Sequence, residues 1–285
     1  MTTAAPPALK RMLVVGGTGL VGQHVCRAAI LRGWHVTSVS RKGSPAWAVP
    51  GDWADTVEWI SGDVTDPNLP LSQLVCMHDK PVDAVVHAVG ILFQTPALND
   101  IVNAPSISAS LCAVRRLVTG QARNDASLEF DALQSASAIR LADELGMAAS
   151  EATITTNAPH VPAMIYVSAE VTPTMEYAVR REYLVTKRRA ESHILAQAQR
   201  LRPVVLRPGL LESKFRPLTR PMAWASTLAS AVTGLVPPAL HVADLADAVV
   251  GAAEHSEVSG VLGPQELAAQ ARREQAEAPV SRADV

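Results

Sequence analysis

The amino-acid sequence predicts an α/β protein with one doubly wound parallel sheet, followed by a small C-terminal lobe. Apolar runs of strand length alternate with stretches of helical spacing along most of the chain. A glycine-rich turn joins the first strand to the first helix. The chain has 285 residues, of which 48% are hydrophobic, so it is long enough to bury one large core.

Composition and charge exclude several classes of protein. The formal net charge is −2, which gives no general attraction to nucleic acid. The cysteines Cys26, Cys76 and Cys112 are far apart and match no metal or disulfide spacing. We therefore expect them to be small core residues in a reducing compartment. The longest apolar tract, Trp224 to Leu235, is too short to span a bilayer.

The first strand and helix carry the strongest functional signal. Met12 to Val15 predicts a buried strand, and Leu20 to Arg32 has helical spacing. Between them we expect Gly16 to allow a sharp turn, Gly19 to leave room for a pyrophosphate, and Gly22 to let the helix pack close to the strand. Amides at the helix start would then face the anion. The alternative is a tight turn that binds nothing. The predicted dinucleotide-binding residues of this turn are Gly16, Thr18, Gly19, Leu20, Val21 and Gly22.

The later elements continue the alternation, which predicts a Rossmann-type sheet. Strands are predicted at His35 to Ser40, Val57 to Ser61, Asp83 to Ala88, Ala163 to Val167 and Val204 to Leu206.

Two helices are predicted in the second half of the chain. The first runs from Leu128 to Leu145 and stops at Gly146, and the second runs from Glu182 to Gln199. The polar tract Ala148 to His160 between them is predicted to be an exposed loop.

The predicted organisation has three parts. Residues 1–9 form a flexible N-terminus, and residues 10–265 form the nucleotide-binding domain, with the C-terminal lobe built mainly from residues 208–265. The tail 266–285 is polar and alanine-rich, and we expect it to be frayed.

Residues that follow the strands can face a ligand at the carboxyl edge of the sheet. Arg41 follows the second strand, where an NAD-specific site usually has an acidic residue, and a cation there would pair with a 2′-phosphate. NADP(H) is therefore favoured over NAD(H), although a solvated surface arginine is the alternative. Asp63 is placed to accept from the adenine amino group with Val64 packed on the ring, unless Asp63 only forms a turn.

The segment after the fourth strand would complete the wall of the dinucleotide site. Ala88, Val89 and Gly90 have little side chain there, which suits close approach of a cofactor. His87 lies within the apolar strand itself, so a core histidine is the favoured interpretation.

Tyr183 and Lys187 lie four residues apart on a predicted helix, which places them on one face. A phenol has a pKa of about 10, and a neighbouring ammonium lowers it by favouring the phenolate. This pair predicts a proton donor tuned by a lysine that also holds the nicotinamide ribose. The alternative is a surface Tyr and Lys.

Together these motifs resemble the short-chain dehydrogenase/reductase superfamily in its extended or atypical branch. The resemblance rests on the glycine turn, GDVTD, VVHAVG, Tyr183 with Lys187, VVLRPG and PPALHVADLADAVV, and it covers about residues 10–265. More closely, SVSRKGSPAW, VEWISGDV and VVHAVGIL are similar to fungal mitochondrial proteins that assist coenzyme Q biosynthesis and to the nucleotide-binding accessory subunit of respiratory complex I. The resemblance implies a protein on the matrix side of the inner mitochondrial membrane that works with quinone-synthesis proteins on a prenylated quinone intermediate.

The sequence departs from the active members of the superfamily after the fifth strand. The resemblance implies that Ser168 orients the substrate, but its register places Ala169 and Glu170 where the working hydroxyl is expected, with Thr172 as a substitute. Two functions therefore stay open. One is an NADP(H)-dependent reductase of a quinone or carbonyl group, with Tyr183, Lys187 and Ser168 as its catalytic residues. The other is a non-catalytic nucleotide-binding accessory subunit.

A basic and apolar segment is typical of a peripheral contact with an anionic membrane. A helix that faces the core of the lobe is the more frequent explanation of such a pattern. The segment contains Lys214, Phe215, Arg216, Arg220, Trp224, Leu228 and Val232.

Overall fold

The computed structural model describes residues 9–49, 51–77, 80–90, 135–156, 159–170, 181–209, 211–212 and 239–277. Within them, one sheet of seven parallel strands forms the centre of the protein. Its strands are β1 (Arg11–Val15), β2 (His35–Ser40), β3 (Glu58–Ser61), β6 (Ala84–His87), β7 (Ala163–Val167), β8 (Arg202–Leu206) and β11 (Gly260–Leu262).

The helices of the described residues lie on the two faces of this sheet. They are α1 (Leu20–Leu31), α2 (Leu71–Val75), α3 (Ser137–Thr156), α4 (Arg181–Ala196), α5 (Val242–Glu254) and α6 (Pro264–Glu277). A short 3₁₀ helix spans Trp53–Thr56. Two small ladders pair β4 (Cys76–Met77) with β5 (Lys80–Pro81) and β9 (Leu211–Glu212) with β10 (Leu240–His241).

The strand order β11-β8-β7-β6-β1-β2-β3 confirms the predicted doubly wound α/β fold. The chain winds outward from β1 through β2 to β3 and then returns to β6 on the other side of β1. In such a sheet, ligands bind at the carboxyl ends of the strands where the winding direction changes. The switch in winding direction lies between β1 and β6, so the residues predicted to bind a ligand come together at the carboxyl ends of these strands.

Two buried clusters hold the helices on the sheet. On one face, α1, α5 and α6 pack on Val14, Val86 and Ile165, which are all fully buried. On the other face, α2, α3 and α4 pack on Leu13 and Val85. Alternate strand residues thus supply the two cores, as the pleat requires.

The predicted helix stop at Gly146 is wrong. Helix α3 continues through Gly146 to Thr156 and includes most of the tract predicted as a loop. Gly146 and Ala149 are buried, so packing against α4 outweighs the weak helix preference of glycine. Hydroxyls of the final turns bond backward, as from Thr153 to the Ala149 carbonyl at 2.9 Å. The predicted start at Leu128 lies outside the described residues.

The prediction of a frayed tail after Glu266 is also wrong for the described part. Helix α6 extends to Glu277 and buries Leu267, Ala271 and Glu274. In the range assigned to the C-terminal lobe, α5 packs on α1 and β11 joins the main sheet. The rest of that range is largely outside the described residues, so a separate lobe there stays a prediction.

Candidate functional site

The glycine turn between β1 and α1 has the geometry that its sequence predicts. Gly16 has φ of +91°, a conformation that residues with a Cβ rarely adopt. A Cβ on Gly16 would also lie 3.0 Å from Cγ2 of Val89. The turn is thereby held directly against the chain that leaves β6.

Gly22 brings the first turn of α1 against the glycine turn. A Cβ on Gly22 would overlap the carbonyl oxygen of Gly16 and lie 2.7 Å from Cα of Gly17. Gly17, which the sequence analysis missed, is equally constrained, because a Cβ there would overlap the hydroxyl of Ser38. The GG dipeptide at residues 16–17 was the available signal.

The N-terminus of α1 is open to an anion. Its N-cap is the exposed Gly19, and within the described residues no side chain caps the helix and no acidic residue lies in its first turn. The Gly19 amide itself donates to the Gly16 carbonyl at 2.9 Å. The amides of Leu20, Val21 and Gly22 begin the helix, where backbone donors and the helix dipole favour a negative group.

At the far side of the turn, Arg41 and Asp63 lie at the ends of β2 and β3. Arg41 is exposed, and its charge contributes to lowering the pKa of Asp63. The main cause of that lowered pKa is hydrogen bonding from Thr65, whose hydroxyl and amide donate to Oδ1 of Asp63 at 2.7 and 2.9 Å. Asp63 is thus an ionised turn former with one carboxylate oxygen committed, and Val64 is buried in the core.

Lys187 contacts the ends of β6 and β7, at the predicted nicotinamide end of the site. Its Nζ donates to the Val167 carbonyl at 3.0 Å and to the Val89 carbonyl at 3.4 Å, and it lies 4.7 Å from the centre of the Tyr166 ring. A Cβ on Gly90 would lie 3.5 Å from the same Nζ. Burial lowers the pKa of Lys187 to about 7, although the charge of Glu191 opposes this shift. The structure therefore brings Lys187, Val89 and Gly90 together.

Tyr183 is the third residue of α4, one helical turn before Lys187. This backbone placement agrees with the predicted spacing, whereas the Tyr183 side chain lies outside the described part of the structure. Contact between the phenol and the ammonium therefore stays a prediction. Thr172 and the basic segment from Lys214 to Val232 also lie outside the described residues.

His87 is a fully buried residue at the end of β6. Its Nε2 is 2.9 Å from the hydroxyl of Ser137, and Nδ1 has no hydrogen-bond partner among the described residues. Burial, with a smaller contribution from Lys187, lowers the pKa of His87 to about 3. The imidazole is therefore neutral at physiological pH, as expected for a core histidine.

Ser168 belongs to a buried ionic network that the sequence analysis did not find. Its hydroxyl donates to Oε1 of Glu191, a side chain that is almost fully buried. Arg207 and Arg188 each donate to the Glu191 carboxylate at 2.5 Å, and Glu170 lies 3.5 Å from Arg188. The available signal was the spacing of Lys187 and Glu191, which puts both on one face of α4.

The ionic network keeps Glu191 charged. Burial alone would raise the pKa of Glu191. Hydrogen bonds from Arg207 and Ser168, together with the charges of Arg188 and Arg207, lower this pKa below its ordinary value. Ser168 is thus held by a carboxylate acceptor.

The described residues contain no group of three or more His, Cys, Asp or Glu side chains that could hold a metal ion. None of the described helices is long and apolar enough to cross a membrane.

Cys26 is buried, as expected for a core residue, and burial raises the pKa of its thiol to about 12.

Several known proteins share parts of this chain's sequence or its fold. Residues 12–105 match the NAD dependent epimerase/dehydratase family. MIOREX complex component 2 of Saccharomyces cerevisiae is 24% identical over 231 aligned positions, and the alignment covers 77% of this chain and 79% of that protein.

Two solved structures show the same architecture. A short chain dehydrogenase from Leptospira borgpetersenii, with bound NAD+, has a TM-score of 0.62 at 14% identity. The alignment covers 91% of this chain and 92% of that chain. A short-chain type dehydrogenase/reductase from Mycobacterium ulcerans has a TM-score of 0.60 at 15% identity, with 90% of each chain covered. The first part of the chain thus matches the epimerase/dehydratase family, and the chain shares the fold of these two dehydrogenases, in agreement with the resemblance that its motifs indicate.

Proposed function

We propose that the protein binds a dinucleotide, with the diphosphate at the N-terminus of α1 and the nicotinamide end near Lys187. The observation that carries this proposal is the packing of the glycine turn against Val89, whose carbonyl also accepts from Lys187. Val89 thus lies between the glycine turn and Lys187, and these neighbouring segments offer backbone amides, a wall with little side chain at Ala88 to Gly90, and a buried amine. These are the groups that a dinucleotide requires.

The preferred cofactor in this proposal is NADP(H). Strand β2 ends at Ser40, whose hydroxyl donates to the Gly43 carbonyl at 3.2 Å, and the exposed Arg41 follows. The residues that directly follow β2 in the described structure, Arg41 to Gly43, include no carboxylate for ribose hydroxyls, while the guanidinium is suited to a phosphate.

Calorimetry with NADPH and NADH tests the binding proposal. We expect wild-type protein to bind NADPH more tightly than NADH, and Gly19→Val to bind neither well, because the added side chain blocks approach to the amides. Gly146→Ala, which changes a glycine away from the turn, is the matched control. Heat of binding that Gly19→Val leaves unchanged would exclude the proposed position of the diphosphate.

The first candidate activity is reduction of a quinone or carbonyl intermediate. The bound nicotinamide would supply a hydride. Tyr183 would donate a proton to the substrate oxygen, and Lys187 would hold the nicotinamide ribose and stabilise the phenolate that is left. Ser168 would orient the substrate in this candidate. Support comes from the i, i+4 placement of Tyr183 and Lys187 on α4.

The second candidate is a non-catalytic nucleotide-binding subunit, and a specific contact favours it. The Ser168 hydroxyl donates to Glu191, so its proton is already committed to a buried carboxylate. The next residue, Ala169, has no hydroxyl and is buried. Ser168 would then anchor β7 to α4, and the nucleotide would stabilise the protein for assembly.

Turnover measurements separate the two candidates. Purified protein with NADPH and short-tail quinones should oxidise NADPH if the protein is a reductase, and Tyr183→Phe should abolish this activity. If the protein is an accessory subunit, bound dinucleotide will persist without turnover, and Tyr183→Phe will leave cellular quinone levels unchanged. Loss of quinone with an inactive but folded Tyr183→Phe variant would support the reductase.

The proposed setting is the matrix side of the inner mitochondrial membrane, beside quinone-synthesis proteins. The similarity to MIOREX complex component 2 and the motif resemblance support it. Fractionation of tagged protein tests the location. Flotation with anionic liposomes tests peripheral membrane contact, which we assign to the basic segment from Lys214 to Val232.

A further inference from the structure

A compact loop carries the residues assigned to the adenine end of the site. It spans residues 62–70, between β3 and α2. The amide of Asp66 donates to the Asp63 carbonyl at 2.9 Å, and the amide of Asn68 donates to the Asp66 carboxylate at 2.9 Å. These bonds fold the loop into two successive turns, with Asp63 at its start.

Arg140, in the first turn of α3, holds the outer part of this loop. Its guanidinium donates to the carbonyls of Asp66 at 2.7 Å, Pro67 at 2.9 Å and Leu69 at 2.6 Å. The contacts join parts of the chain that are 71 to 74 residues apart. All three acceptors are backbone atoms, so the bonds fix the path of the main chain rather than one side chain.

The inner part of the loop packs on the same helix. Val64 of the loop is buried in the cluster that contains Leu141, the residue after Arg140. Apolar packing therefore holds the base of the loop, whereas Arg140 holds its partly exposed rim. A guanidinium is suited to this task because its donors are arranged in a rigid fork that one ammonium nitrogen cannot reproduce.

We propose that Arg140 is a positioning residue for dinucleotide binding: it holds the 62–70 loop so that Asp63 faces the adenine. This inference rests on the proposed function, which places the adenine at the ends of β2 and β3. A preordered loop adds affinity because its ordering cost is met before the ligand arrives. The effect should be confined to ligands that carry the adenosine half.

Three variants test this role in the full-length protein. Arg140→Met removes the donors while keeping an unbranched side chain, and Arg140→Lys keeps the charge. Arg272→Met removes an exposed arginine from α6, which packs on α5 and β11, and serves as the control. We would measure affinity for 2′,5′-ADP and NADPH by calorimetry, thermal stability, and amide hydrogen exchange across residues 62–70.

We expect Arg140→Met to weaken binding of 2′,5′-ADP by roughly tenfold, with faster exchange in residues 62–70 of the free protein. Arg140→Lys should recover only part of the affinity, and Arg272→Met should match the wild type. A folded Arg140→Met protein with wild-type affinity, or with unchanged exchange in the loop, would overturn the inference.

A loss of thermal stability without selective loss of affinity would also overturn it, because that result indicates a general structural role. The same measurements distinguish failure of the proposed function from failure of the role of Arg140. If wild-type protein binds neither NADPH nor 2′,5′-ADP, the proposed function fails and this inference fails with it. If the wild type binds both and Arg140→Met binds equally well, only the inference fails.

Discussion

Two glycines show that the cost of adding a side chain in a helix depends on the atoms around it. Gly22 and Gly146 both lie inside helices, yet a Cβ on Gly22 would meet backbone atoms of the glycine turn. A Cβ on Gly146 would instead lie 2.8 Å from Oε1 of Gln197, at the end of a flexible side chain. Only the first contact requires the main chain to move.

Alanine substitution should therefore separate these two positions. We expect Gly22→Ala to lower the free energy of unfolding by roughly 1 to 3 kcal/mol, because backbone must shift, and to weaken dinucleotide binding. Gly146→Ala should raise it by up to about 1 kcal/mol, because alanine favours a helix interior. Urea unfolding and calorimetry measure both effects. Equal stability changes would contradict this assignment of backbone contact.

Lys187 makes stability depend on pH. Burial lowers the pKa of this amine from 10.5 to about 7 in the folded protein. Above pH 7 the unfolded chain therefore binds more protons at this site than the folded chain, so folding becomes more favourable as pH rises toward the unfolded pKa. Below pH 7 both states are protonated, and the full cost of burying the charge remains.

Lys187→Met should remove this titration. Between about pH 7 and pH 9 we expect the wild type to gain roughly 2 kcal/mol of stability relative to the variant. Urea unfolding at several pH values provides the measurement. The exposed Lys42→Met variant is the control and should follow the wild type. Parallel curves for the wild type and Lys187→Met would show that the buried amine keeps an ordinary pKa.

The sequence predicts the local geometry of the candidate site well where the contacting residues are close in the chain. The roles of Gly16 and Gly22 depend on a turn of a few residues, so local spacing indicates them. The contacts of Glu191 with Arg207 and of Arg140 with Asp66 were missed because the partners are 16 and 74 residues apart, and only the fold brings them together. Long-range ionic contacts leave no periodic pattern in a sequence.

At the scale of elements, the strands were predicted more accurately than the helix ends. Ala163–Val167, for example, is a short apolar run, which burial on both faces of a parallel sheet requires. The end of α3 and helix α6 were missed because their composition is polar and small. Each buries only a narrow face, as Leu267 and Ala271 do in α6.

Arg32 joins three helices at the end of α1. Its guanidinium lies 2.6 Å from Glu274 in α6, 2.9 Å from Glu254 and 3.5 Å from Asp247 in α5. Glu274 is almost fully buried and occupies the space that Gly251 leaves open. Three carboxylates thus share one arginine at this junction. Glu254 also accepts from Trp34 at 2.9 Å, and Glu274 accepts from Gln270 at 2.7 Å and lies 3.3 Å from His255.

Arg32→Met should destabilise the packing of α6. We expect the free energy of unfolding to fall by about 3 kcal/mol, because buried carboxylates lose their main partner. Arg27→Met, which changes an exposed arginine within α1, should change the free energy of unfolding by less than about 0.5 kcal/mol. Adding Glu274→Gln to Arg32→Met should recover part of the loss. Chemical unfolding of all three variants tests this, and equal effects of Arg32→Met and Arg27→Met would contradict it.

At the scale of the whole molecule, the strand order concentrates the candidate site at one edge of the sheet. β1 lies between β2 and β6, so the chain segments that follow these three strands meet at their carboxyl ends. A ligand that spans these segments contacts the strands on both sides of β1, where the winding direction of the sheet changes. Binding would therefore stabilise the domain as a unit rather than one loop.

A dinucleotide should consequently raise the melting temperature of the entire protein. NADPH at 100 times its dissociation constant would add about 2.7 kcal/mol, which corresponds to a rise of roughly 5 °C for a domain of this size. We expect a smaller rise with NADH at the same concentration, because Arg41 then has no 2′-phosphate to bind. Arg41→Ala should make the two shifts equal by reducing only the NADPH effect. Differential scanning fluorimetry measures these shifts. Equal shifts with wild-type protein would contradict the NADP(H) preference, and no shift with either dinucleotide would contradict binding itself.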